Sequence, residues 1–243
     1  METPLIPLTR TWSAVLFDLD GTLVDSAASI TASLAHTFEA LGLPVPSDEA
    51  LRAYVGPPLL DSLRQRAGLD EARAWEALRL YREHYEPTAM HAPVFPGVEG
   101  LLSRLDDAGV PLALATSKPE SMARRILDHL GLADRFTVIA GASDDETRSA
   151  KSDIVAYALG GLQAAGIDTS NTVMVGDRGY DIVGAAANDV PTILVEWGYG
   201  SPAEAADAIA VVHSADQLAS LLLGTRPGER STPHAAPPPR AAY

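Results

Sequence analysis

The chain has 243 residues, 47% of them hydrophobic and 21% charged, with a formal net charge of −14. That hydrophobic share excludes a wholly disordered chain, and the length suits one large domain or two modest ones. The acidity makes the chain a poor candidate for non-specific binding of a nucleic acid polymer and leaves any anionic substrate in need of a local cationic site, while the absence of cysteine excludes disulfides, thiolate metal sites and cysteine nucleophiles.

The opening segment, METPLIPLTRTWS, has no long apolar run, so no secretory signal is read there. Apolar runs elsewhere are too short to span a bilayer, which makes a soluble cytoplasmic protein with no membrane partner the expectation. Residues 13–17 (SAVLF) form a short aliphatic run closed by an aspartate and predict a buried strand. The string DLDGTLVDS, residues 18–26, follows directly. Side chains at i and i+2 of an extended segment share a face, so Asp18 and Asp20 converge at the carboxyl end of a strand, where open parallel sheets bind ligands. Two carboxylates so close repel unless a cation or a shared proton relieves them.

Residues 26–90 hold helical patterns and no convincing strand: 27–41, stopped by Gly42 and Pro44; 50–55, behind a Ser47-Asp48-Glu49 cap; 59–67; and 71–86. Beyond them, helices over 98–108, 120–130, 153–165 and 180–188 alternate with strands over 111–115 (PLALA), 137–140 (TVIA), 172–175 (TVMV) and 192–195 (TILV). Gly109, Gly131 and Gly166 follow three of the helices, where left-handed caps favour glycine. The alternation predicts an α/β fold, a parallel sheet with helices on both faces and a helical insert after its first strand. Residues 225–243 are rich in Gly, Pro, Arg and Ala and read as a disordered tail.

Three further polar stations follow later strands. Thr116-Ser117-Lys118-Pro119 ends the strand PLALA, where a hydroxyl can donate to a phosphate oxygen and Ser117 can cap the next helix. Lys151 stands ahead of the helix over 153–165 as a point charge able to neutralise a phosphoryl group, with Arg148 competing for that role. Gly176-Asp177-Arg178-Gly179-Tyr180-Asp181 follows the strand TVMV, and its Asp177 ends that strand as Asp18 ends the first. Carboxylate oxygens with waters suit a hard Mg²⁺ ion. The six histidines (36, 84, 91, 129, 213, 234) have no ligand-like spacing and read as surface or satisfied side chains.

DLDGTLVDS, a strand ending in Thr116, Lys151 and GDRGYD resemble, in this order, the four motifs of the haloacid dehalogenase superfamily. The resemblance runs over roughly residues 13–222. It implies a Rossmann-like α/β core (1–25 and 91–224) carrying a small helical cap (26–90), as in the phosphoglycolate-phosphatase-like branch. It further implies a phosphomonoester hydrolase in which Asp18 attacks phosphorus and forms an aspartyl phosphate. Asp20 would be the general acid/base and bind magnesium through its backbone carbonyl. Asp18 and Asp177 would complete the Mg²⁺ site. Thr116 and Lys151, with the neighbouring hydroxyl of Ser117, would bind phosphate. Asp181 would bind the metal through water or hold Lys151. An acid at position 20 favours phosphoryl chemistry over dehalogenation. The segment LRAYVGPPL (51–59), with RSAK (148–151) and GDRGYD, is similar to the 5′-nucleotidase-like branch. The substrate expected is therefore a small phosphorylated metabolite, a 5′-nucleotide or a phosphoglycolate-like ester. Arg52 is a candidate contact for its leaving group, set against an ordinary exposed helix residue. A phosphomutase on the same fold and a receiver-like phospho-acceptor module remain alternatives. Receiver modules, however, are shorter and lack both the insert and the acid two residues after the acceptor. Nothing in the sequence specifies an oligomeric state.

Overall fold

Alternation of small and large side chains along the strands decides how the sheet is covered. In the computed structural model, which describes residues 12–224, Ala14, Leu16, Ala113, Ala115, Ala140 and Met174 face one side. Val15, Phe17, Leu112, Leu114, Val173 and Val175 face the other. Strands β1 (Ala14–Phe17), β2 (Leu112–Pro119), β3 (Val138–Ala142), β4 (Thr172–Gly176), β5 (Thr192–Val195) and β6 (Ala210–Val212) form one parallel sheet in the order β3-β2-β1-β4-β5-β6. Its two central strands, β1 and β4, are buried along their whole length.

The alanine-rich face lets α7 (Lys151–Ala164) and α8 (Gly179–Ala186) approach closely. The bulkier face is covered by α5 (Val98–Asp107), α6 (Glu120–His129) and α9 (Ala215–Leu223). Each fully buried Leu or Phe on that face contributes about 1.5–3 kcal/mol relative to exposure. The strand order reverses at β1, between β2 and β4. This is the Rossmann-like arrangement, and the crevice it opens at the carboxyl ends of the strands is the favoured ligand position.

The insert consists of α1 (Ala27–Ala40), α2 (Asp48–Arg52), α3 (Leu59–Gln65) and α4 (Glu71–Tyr85), with α1 and α3 both packed on α4. Two linkers join it to the sheet, and they pair with each other. Val24 bridges Val94 in antiparallel fashion, Asp25 N donates to Pro93 O at 2.9 Å, and Phe95 N donates to Leu23 O at 3.0 Å.

Several predicted boundaries shift. β2 runs past Ala115 to Pro119, with its register against β3 broken between those residues, so the second polar station lies within the strand. Ser117 does not cap α6: Pro119 holds that position and no side chain caps it. α2 starts at Asp48 behind Ser47, whose side chain accepts from Ala50 N, and it ends at Arg52, short of the expected 55. The residues between Arg52 and Pro57 turn instead, since a residue before proline disfavours the helical region. α7 begins at Lys151 itself. β6 and α9 have no counterpart in the sequence reading. The predicted caps Gly109, Gly131 and Gly166 all have positive φ. The expected tail, 225–243, lies outside the described residues, and among the described residues no helix is long and apolar enough to cross a membrane.

Candidate active site

Asp18 leaves the end of β1 buried, and Lys151, the first residue of α7, reaches it across the crevice. Lys151 Nζ donates to Asp18 Oδ1 at 2.8 Å and to Asp181 Oδ1 at 2.7 Å. Asp181 is in turn fixed in the first turn of α8, where its Oδ2 accepts from Arg178 N at 3.0 Å. Arg148 is not a rival for Lys151. It pairs with Glu120 at 2.8 Å and stacks over the Tyr157 ring at 3.7 Å.

Asp177 follows β4. Its Oδ2 accepts from Tyr199 N at 2.7 Å and its Oδ1 from Thr22 Oγ1 at 3.4 Å. Oxygens of Asp18, Asp177 and Asp181 lie within 4.8 Å of one another. The turn after β1 passes directly over this trio. A Cβ on Gly21, whose φ is +85°, would lie 2.3 Å from Asp177 Oδ2, so no side chain fits there.

The Asp20 carboxylate stands apart from the trio. Its Oδ1 accepts from Ser26 Oγ at 2.6 Å, and its Oδ2 pairs with Lys118 Nζ at 3.0 Å. Lys118 also donates to the Tyr85 hydroxyl of α4 at 2.9 Å, which ties the sheet to the insert. Both oxygens of the Asp20 carboxylate are thus engaged, by Ser26 and Lys118, away from the Asp18, Asp177 and Asp181 oxygens. Lys118 is a site residue that the sequence reading passed over. Its position two residues after Thr116 in an extended segment was the available signal.

Burial pushes the Asp18 carboxyl up to about 6, against the pull of Lys151, and raises Asp177 well above the usual carboxylate range, with the Asp181 and Asp18 charges adding to it. Burial opposes the charge on Lys151 and Lys118, but the adjoining carboxylates outweigh it and hold both ammonium groups protonated above the ordinary lysine value. Counted as ionised, the four buried carboxylates Asp18, Asp20, Asp177 and Asp181 outnumber the ammoniums of Lys118 and Lys151 by two. The oxygens of Asp18, Asp177 and Asp181 could hold a metal ion, and an all-oxygen donor set is of the kind that suits a hard divalent cation.

Beside Asp18 and Asp20 lies a cavity of about 270 Å³. Thr116 and Ser117 line its floor, and Ser117 Oγ is buried without a hydrogen-bond partner. Opposite them the insert contributes Tyr54, Leu59, Leu78, Tyr81 and Tyr85, the last two stacked at 5.4 Å between centroids. Arg82 pairs with Glu146, and Arg125 pairs with Glu86 at 2.7 Å, all at the cavity edge. Arg52 is not among the lining residues. It is exposed on α2, which turns that side chain to solvent.

Residues 15–195 match the family model of haloacid dehalogenase-like hydrolases. The chain belongs to that family. Among curated members it is 47% identical over 188 residues to the tyrosine-protein kinase PtkA of Mycobacterium tuberculosis, a match spanning 76% of this chain but only 62% of that protein. It is 40% identical over 191 residues to a 5′-nucleotidase of Pseudomonas aeruginosa, covering 78% of this chain and 85% of the relative. It is also 35% identical over 220 residues to a phosphoglycolate phosphatase of Chromobacterium violaceum, covering 86% and 96%. The crystal structure of a predicted phosphatase from Clostridium acetobutylicum superposes with a TM-score of 0.82 at 39% identity, over 88% of this chain and 99% of that one. As a haloacid dehalogenase-like hydrolase, this chain carries Asp18 and Asp177 at strand ends and Lys151 and Asp181 in the first turns of α7 and α8, and the insert lines the opposite side of the cavity.

Proposed function

We propose that this chain is a magnesium-dependent phosphomonoester hydrolase acting through an aspartyl phosphate on Asp18, with residues 26–90 serving as a small cap. The observation that carries this reading is the division of the two acids between two lysines: Asp18 sits on Lys151 and Asp20 on Lys118, both pairs buried. One carboxylate is thereby disposed to attack phosphorus and the other to move protons.

Asp18 attacks the phosphoryl group while Lys151, Thr116 and Ser117 take its oxygens, and Ser117 gains the partner it lacks. Asp20 protonates the departing oxygen, then accepts a proton from the water that cleaves the aspartyl phosphate. Lys118 balances Asp20 whenever it is ionised. Asp18, Asp177 and the Asp20 carbonyl would hold the magnesium ion, with Asp181 alongside. When bound, the ion neutralises phosphoryl charge that the acidic site would otherwise repel. The cap excludes bulk water during transfer.

The cavity favours a 5′-nucleotide over a phosphoglycolate-like ester. A second anionic group would need a cation within the cavity, yet Lys118 is engaged by Asp20 and Arg82 by Glu146, and Arg125 stands exposed at the edge, paired with Glu86. Stacked tyrosines and aliphatic side chains suit a leaving group with a flat face instead. The likeness to PtkA supports a second reading, in which the phosphoryl group on Asp18 passes to a tyrosine hydroxyl rather than to water. The test is phosphate release from a panel holding 5′-nucleotides and phosphoglycolate, with Mg²⁺ and after chelation, beside a tyrosine peptide supplied with ATP. Nucleotide hydrolysis that stops on chelation and returns with Mg²⁺ is expected. Turnover that survives exhaustive chelation contradicts the metal role, and peptide phosphorylation without nucleotide hydrolysis favours the second reading.

A further inference from the structure

Behind the carboxylate trio, the loop after β5 makes contacts that the chemistry above does not use. A Cβ on Gly198 would lie 2.3 Å from Asp177 Cβ, so the backbone here presses on that residue with no room for a side chain. The next residue, Tyr199, donates its backbone N–H to Asp177 Oδ2 at 2.7 Å. Its phenol then extends to the base of the cap. The hydroxyl donates to Asp25 Oδ1 at 2.9 Å and accepts from Ser26 N at 2.8 Å and Ala27 N at 3.0 Å. The one proton and both lone pairs of the phenol are used. Its ring also meets Phe95 of the return linker at 6.4 Å.

Ser26 precedes α1 and makes no side-chain cap of its own, because its Oγ is committed to Asp20 at 2.6 Å. The opening amides of a helix need acceptors. Here the acceptor is supplied from 173 and 172 residues away by Tyr199. One residue therefore spans from the metal-side carboxylate Asp177, through Ser26, to the acid/base Asp20, and meets both linkers between insert and sheet.

We propose that Tyr199 is a positioning residue that couples metal binding at Asp177 to the placement of the cap helix α1 and of Asp20. The inference rests on the metal-dependent reading above. A cation held by Asp177 restrains the 198–199 backbone, which sets the phenol, which sets the first turn of α1 and the Ser26 hydroxyl that orients Asp20. Without the phenol the same groups remain, but the two ends move independently.

The experiment compares wild type with Tyr199→Phe, which keeps the ring and the backbone contact and removes only the hydroxyl. Two readouts are independent of turnover: Mg²⁺ affinity by calorimetry, and hydrogen exchange at the amides of Ser26 and Ala27 with and without Mg²⁺. In wild type, Mg²⁺ should slow exchange at both amides. In Tyr199→Phe that slowing should vanish and Mg²⁺ affinity should fall roughly tenfold, the usual scale of coupling between linked sites. With p-nitrophenyl phosphate, kcat should fall by a similar factor at unchanged KM. Asp25→Ala keeps the phenol but frees its proton, and should shift all three readouts the same way by less. If Tyr199→Phe melts lower yet keeps wild-type Mg²⁺ affinity and Mg²⁺-dependent protection, Tyr199 is merely structural and the proposal is overturned. If wild type itself binds no Mg²⁺, the metal reading fails and the inference fails with it.

Discussion

The floor and the roof of the cavity are built by opposite means. On the floor, Asp18, Asp20, Lys118 and Lys151 are buried and joined by hydrogen bonds of 2.8–3.0 Å from residues fixed at strand ends and at the start of a helix. On the roof, packing is by tyrosine and aliphatic side chains. Of the charged pairs that bind roof to core, Arg125 with Glu86 is exposed, whereas Arg82 with Glu146 is partly buried, Glu146 being the more enclosed partner. Removing one partner of a buried pair typically costs about 3–5 kcal/mol, whereas an exposed pair contributes about 0–1. Buried ties join roof to core as well: Lys118 donates to the Tyr85 hydroxyl and Arg178 to Val55 O, so any movement of the roof has to break these two bonds. On the proposed reading, the floor holds the reacting groups and the roof shapes the pocket for the leaving group.

Substitutions on the two sides should separate cleanly. The largest effect is expected from Asp18→Asn, which should lower kcat at least about 10³-fold, because an amide is not a competent nucleophile. Its fold should persist, since Lys151 keeps Asp181 at 2.7 Å. Steady-state rates and a thermal melt measure both halves, and retention of a tenth of wild-type turnover would remove Asp18 from its assigned role. Asp20→Asn comes next, with a loss of roughly 10²–10⁴-fold for an alkyl phosphate. The loss should shrink for p-nitrophenyl phosphate, whose leaving group needs little protonation. An unchanged ratio of the two kcat/KM values would leave Asp20 a structural residue.

On the roof, Tyr81→Leu breaks the stack with Tyr85. It should raise KM for a 5′-nucleotide about three- to tenfold, the scale of an aromatic pair, and leave kcat for p-nitrophenyl phosphate nearly unchanged. A fall in that kcat instead would mean the roof takes part in chemistry. The smallest effect belongs to Arg52→Ala, expected within about twofold on every substrate, since the side chain is exposed on α2 and lines no part of the cavity.

The same division explains what could be read in the sequence. Asp18, Thr116 and Asp177 each close a run of buried aliphatic residues, and a parallel sheet brings such ends together whatever the intervening chain does. Lys151 was legible only with the other stations, because a lone lysine at a helix start is usually solvated. Lys118 and Tyr199 were not found. Lys118 lies in a stretch that continues as strand past its apolar part, and Tyr199 acts through a loop whose 172-residue reach to Ala27 no local pattern encodes. Roof residues are harder still. Tyr81 and Tyr85 are four apart on α4 and share a face, but nothing local says whether that face meets core or ligand. For Arg52, helix propensity and charge were visible and orientation was not. β6 has three residues, too few for a periodic signal, and α9 depends on the modest cue of Ser214, whose side chain accepts from Gln217 N.

The central claim is that a phosphoryl group resides on Asp18 during turnover. It is tested most directly by quenching Asp20→Asn in acid during reaction with p-nitrophenyl phosphate and mapping the modified peptide by mass spectrometry. With the base removed, formation of the aspartyl phosphate should outpace its hydrolysis, so the account predicts a phosphoryl adduct on the peptide bearing Asp18 that is absent from the Asp18→Asn, Asp20→Asn double variant. An adduct at any other residue, or none while nitrophenol is still released in a burst, would contradict it.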